Sequence, residues 1–113
     1  MPNKIYLKRA NEIKPIATGY GVCFATDEIT MKGSKIGYFY RESSNSSIDS
    51  GWRFLSGNES NEYIDNPNNV GVNDVNTIAN YDPDIIAYLK QPVGSVFIRD
   101  LNTDVFVSIE ALA

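Results

Sequence analysis

The sequence predicts a single α+β domain built on a mixed, mainly antiparallel sheet with one or two short helices packed on one face. Three observations carry this expectation. Runs rich in β-branched and aromatic residues occur early and late in the 113-residue chain, helical spacing of apolar residues is confined to the stretch between them, and the last run alternates apolar with polar residues. A chain of this length buries roughly two thirds of its unfolded surface, enough for one core. Residues 1–113 are therefore expected to form one domain.

Residues 4–13 match neither the strand nor the helix period and are expected to form one short element of either kind. Residues 20–26 read as a strand, and residues 36–41 as a second with Ile36, Tyr38 and Tyr40 on one face, approached through Lys32, Gly33 and Ser34. Residues 43–50 are polar and turn-rich. Residues 52–55 then form a third strand with Trp52 and Phe54 on a common face. Residues 57–71 are rich in Asn, Asp, Glu, Gly and Pro, which make turns through local side-chain hydrogen bonds, so an ordered surface loop is expected.

Helices follow. Asp74 is a cap candidate ahead of Val75, Ile78 and Ala79, which predicts a short helix over 74–80. The next is marked more clearly, with Asp82 as N-cap, Pro83 at the first helical position, Asp84 complementing the dipole and Ile85, Ile86 and Leu89 in one stripe. Lys90 and Pro92 end it. Residues 95–99 and 104–110 flank the turn-like stretch 100–103 and predict a terminal hairpin, with Val105, Val107 and Ile109 on one face against Ser108 and Glu110 on the other.

The residue types also exclude chemistry. The chain has no histidine, which removes Ser/His/Asp and Cys/His nucleophilic sites, the commonest general base near neutral pH and the usual zinc ligands. Gly19, Gly21, Gly33 and Gly37 do not have the spacing of a phosphate loop or a dinucleotide fingerprint. A calcium loop begun at Asp65 places Pro67 at its third position and Val70 where glycine is required, so it fails. Glu59 and Glu62 read as solvated loop acids rather than a glycosidase pair. No catalytic residue, cofactor or metal ligand is assigned.

Cys23 is the only cysteine and lies in an apolar run, where a thiol behaves as a small hydrophobe. Lys4, Lys8 and Arg9 are followed by no apolar run, so neither a signal peptide nor a membrane span is read there and the cytoplasm is the expected compartment. The net charge of -4 is unevenly spread: residues 42–84 hold eight Asp/Glu against Arg53 alone, a balance of -7. Such a stretch repels phosphate and attracts a basic partner, so a protein partner is expected and nucleic acid is not.

The acidic stretch also carries the most specific pattern in the chain. GYFYRE, SGWRFLSGNESNEYIDNP and NTIANYDPDI, beginning at Gly37, Ser50 and Asn76, resemble the signature of immunity protein family 33 of bacterial polymorphic toxin systems, a family first catalogued as a domain of unknown function. The resemblance runs from about Gly21 to Arg99. It implies a small cytoplasmic protein that neutralises a cognate toxin by binding it, and it brings no catalytic residue. The residues expected to meet that partner are Arg41, Glu42, Trp52 and Arg53 at the aromatic strand ends, with Glu59, Glu62, Tyr63 and Asp65 in the loop. A small-ligand or metal-binding accessory domain is the alternative that the same carboxylates and amides admit.

Overall fold

A computed structural model describes residues 4–109. Six strands form one sheet in the order β4-β1-β3-β2-β5-β6. They are β1 (Val22–Thr26), β2 (Tyr38–Arg41), β3 (Asp49–Leu55), β4 (Val70–Asp74), β5 (Val96–Arg99) and β6 (Phe106–Ser108). β1 pairs with β3 in parallel and the other four pairings are antiparallel, so the mixed, mainly antiparallel sheet is as expected. Three short helices complete it: α1 (Asp27–Thr30), α2 (Asn61–Asp65) and α3 (Val75–Tyr81). No described helix is long and apolar enough to cross a membrane.

Apolar burial organises the sheet around Phe39, whose ring centroid lies 4.8–5.4 Å from those of Trp52, Phe54, Phe97 and Phe106. Cys23 and Ala25 extend this inner face, and Val75, Ile78 and Ala79 of α3 cover it together with Ile29, Ile85 and Leu89. The Trp52 indole N–H donates to the Leu89 carbonyl at 3.2 Å, which satisfies its one polar atom inside the core.

Local signals explain the elements that match expectation. The Asp74 carboxylate accepts from the Asn76 N–H at 2.8 Å and starts α3. Asp82 accepts from the Asp84 N–H, and Pro83 sits at the first helical position as expected, but the segment Pro83–Tyr88 winds as a 3-10 helix. Only six residues separate Asp82 from Leu89, and tight winding suits so short a connection. Residues 4–13 contain a 3-10 turn at Ala10–Glu12, where the Arg9 N–H donates to Glu12.

Three expectations are corrected. Ile36 is not on a face with Tyr38 and Tyr40: β2 begins only at Tyr38, Ile36 lies before it in the core, and Phe39 is the residue that points inward. In the terminal hairpin, Phe106 is buried while Val105, Val107 and Ile109 are exposed, because the Phe106 ring fits between Phe39 and Tyr88. Glu110 lies outside the described residues. The stretch 57–71 is not loop throughout, since it holds α2, a 3-10 turn at Pro67–Asn69 and the start of β4. Gly71 and Asn73 are weak strand formers, and pairing with β1 decides their conformation.

One irregularity in β3 positions the candidate site. Gly51 has φ +87°, and a Cβ there would meet the Glu42 carbonyl oxygen at 2.2 Å, so glycine is required. The register against β1 shifts across this point. Four residues of flat strand span ~13 Å, yet the irregular segment brings the Asp49 carboxylate within 2.8 Å of the Arg53 guanidinium.

Candidate functional site

The two arginines expected at a partner surface are committed within the fold. Arg53 is 7% exposed. Its guanidinium makes a two-pronged contact with Asp49 at 2.8 and 2.9 Å, donates to Glu42 at 2.6 Å and lies 4.3 Å from the Phe24 ring centroid. The hydrogen bonds from Arg53 hold the Asp49 carboxyl well below the usual carboxylate range. Arg41 donates to the Ser50 and Gln91 carbonyls at 2.8 Å and stacks over Trp52, joining β2 and β3 to the end of the 3-10 helix. Trp52 is fully buried and presents no surface to a partner.

Around α2 the expected acids divide into two kinds. Glu59 accepts from the Thr26 hydroxyl at 2.5 Å and from the Ser56 and Gly57 N–H groups at 2.8 and 2.9 Å, binding the loop to the end of β1. Burial raises its pKa, but these hydrogen bonds outweigh burial and leave the carboxyl below its ordinary value. Glu62 and Asp65 are exposed and make no ion pair among the described residues. Tyr63 is half-buried, and burial followed by the nearby Asp27 and Glu28 carboxylates raises its phenol pKa. Asp82, expected as a helix cap alone, also accepts from Arg99 at 2.7 Å and from the Ile36 N–H at 3.0 Å, so it joins 3-10 helix, strand and loop in the core.

Ile64 projects from α2 towards the outer face of the sheet and borders two hollows there. One is a notch of about 160 Å³ lined by Phe24, Tyr40, Glu42, Arg53, Leu55 and Val70 among others. Beside it lies an open groove of about 700 Å³ between Tyr38, Leu55, Glu59, Ile98 and Leu101. The structure thus brings Glu42, Arg53 and Glu59 to the edge of one surface with α2, and takes Trp52 and Arg41 away from it.

Sequence reasoning missed the outer face itself. Its residues are Phe24, Tyr38, Tyr40, Val72, Ile98 and Val107, and a signal was present. In VCFAT of β1 and VFIR of β5 apolar residues occupy both strand parities, the pattern of strands meant to be covered on both sides. α1, α3 and the 3-10 helix Pro83–Tyr88 cover one, and α2 only borders the other.

Nothing in this region assembles reactive chemistry. Burial first, then the Asp74 charge, raises the Cys23 pKa so far that the thiol stays protonated. Among the described residues no three Cys, Asp or Glu side chains converge as a metal ion requires. In comparison with known proteins, the profile of the family described as Immunity protein Imm33 domain matches residues 23–110. No curated protein and no solved structure matches.

Proposed function

The chain belongs to the Imm33 immunity protein family, and from that premise we propose that it neutralises a cognate bacterial toxin by binding it directly in the cytoplasm, without catalysis. Family membership is the observation that carries this reading. Charge supports a contact surface at α2 and the adjoining strand ends. Of the eight acids between residues 42 and 84, Asp49, Asp82 and Asp84 are engaged by arginines, Asp74 caps α3 and Glu59 holds its loop. Glu62 and Asp65 remain free of ion pairs among the described residues, and Glu42 keeps half its side chain in solvent. These three carboxylates would steer a cationic toxin surface towards α2.

The test is growth rescue. The product of the adjacent gene is coexpressed with this chain, and binding of an inactivated form of that product is followed by rapid mixing. Glu62→Lys with Asp65→Lys should slow association at low salt by roughly tenfold or more and flatten its salt dependence. Glu59 is unsuited to this test because its replacement would loosen the loop. An unchanged association rate would remove α2 from the interface. A rise in Tm on adding calcium chloride would instead favour the ion-binding alternative.

A further inference from the structure

On the toxin-binding reading, we infer that the uncovered outer face of the sheet is the apolar centre of the interface, and that it receives a toxin surface with an apolar middle and a Lys/Arg rim. The register builds the face in two continuous rows. In one, Val72 lies beside Phe24, Phe24 beside Arg53, Arg53 beside Tyr40 and Tyr40 beside Val96. In the next, Leu55 lies beside Tyr38, Tyr38 beside Ile98 and Ile98 beside Val107. A sheet with one solvated face ordinarily alternates apolar with polar residues. In these two rows every position other than the buried Arg53 is aliphatic or aromatic, and Val72 is 63%, Val107 44% and Ile98 39% exposed.

Six strands at ~4.8 Å spacing make the face roughly 25 Å wide, enough for the centre of an interface and too broad to be a scatter of single exposed residues. Buried interface centres are apolar and depleted in charge, with polar groups at the rim. The rim on this side is acidic. Glu42 lines the notch, Glu62 and Asp65 stand on α2 to either side of the notch residue Ile64 in sequence, and the nearby cations are already engaged, Arg53 by Asp49 and Glu42 and Lys35 by Asp104. Charge complementarity therefore selects a cationic partner. The notch of about 160 Å³ beside Ile64 is below the roughly 300–1,000 Å³ of small-molecule pockets and suits one apolar side chain of that partner, with Glu42 placed to take a neighbouring Lys or Arg.

The experiment uses the full chain and an inactivated form of the adjacent gene's product. The variant V72Q/I98Q/V107Q removes apolar surface at three exposed positions without adding charge, and I64Q tests the notch from outside the sheet. Urea unfolding checks that each keeps the parent's stability. The triple variant should bind at least about 30-fold more weakly, as expected when interface-centre residues are lost, with the change in dissociation rate; I64Q should lose about tenfold. If the parent binds and both variants bind within threefold of it, the face is not the interface, although toxin neutralisation stands. If the parent itself neither binds nor rescues growth, the toxin reading fails and this inference falls with it. Concentration-dependent dimerisation of the free parent that the triple variant abolishes would show that a second copy covers the face, overturning the inference.

Discussion

Replacing Arg53 with Met separates a structural arginine from one held ready for a partner. In the folded chain Asp49, its side chain 14% exposed, receives two hydrogen bonds from the guanidinium of Arg53, whose side chain is 9% exposed. Arg53→Met leaves the Asp49 carboxylate with the Gly51 N–H and the neighbouring Ser44 hydroxyl but no counter-ion. Removing one member of a buried pair costs about 3–5 kcal/mol. The residual exposure of Asp49 places the expected loss near the lower end, about 3 kcal/mol, because water can reach the stranded oxygen atoms. For a domain of this size that is a fall in Tm of roughly 10 °C. Glu42→Gln is the control: Glu42 is half exposed, so losing its charge should cost under about 1 kcal/mol. Urea unfolding followed through Trp52, the sole tryptophan and fully buried, reports both. An Arg53→Met protein within about 1 kcal/mol of the parent would refute the reasoning. If that protein also lost toxin binding, Arg53 would belong to the interface after all.

Two further outcomes follow from the other ionic contacts. Arg99 and Asp82 have side chains 4% and 6% exposed and meet at 2.7 Å; Arg99→Met should cost about 3–5 kcal/mol, and in a double-mutant cycle with Asp82→Asn the coupling should reach about 2 kcal/mol, whereas additive losses would show that the pair contributes little. For pH, Asp49 and Glu59 both have folded pKa values depressed below their unfolded ones. Their contribution to stability is therefore fully present above the ordinary carboxylate range and is lost as pH falls from about 5 through about 4 and below. Urea midpoints from pH 7 to 3 should hold and then fall, and Asp49→Asn should shallow the acid limb; an unchanged limb would show that Asp49 does not carry it.

Much of the fold was legible because its signals are local. The caps at Asp74 and Asp82 act on N–H groups two residues away, and the spacing of Val75, Ile78 and Ala79 declares the buried side of α3 within one turn. The inward pair Trp52 and Phe54 was legible from strand alternation. The same rule misled at β2 and β6, where apolar residues stand on both faces and alternation cannot say which one the helices cover. At Tyr38–Arg41 the choice went to Phe39, which has no hydroxyl to satisfy and meets five other aromatic rings.

For the candidate site, sequence by itself determined the family pattern, the acidic balance of residues 42–84 and the absence of histidine chemistry. Those are properties of residue types and need no coordinates. Only the tertiary structure decided which charges are spent and which are left. Arg99 reaches Asp82 across 17 positions of sequence, Thr26 reaches Glu59 across 33, and Arg53 reaches Glu42 across 11. Such contacts depend on strand order and on which face each strand turns inward, and those are settled by competition among all the aromatic residues for one core. The outer sheet face is the other product of that competition: its apolar residues are visible one by one in the sequence, but their union into one uncovered surface exists only once β4, β1, β3, β2, β5 and β6 lie side by side.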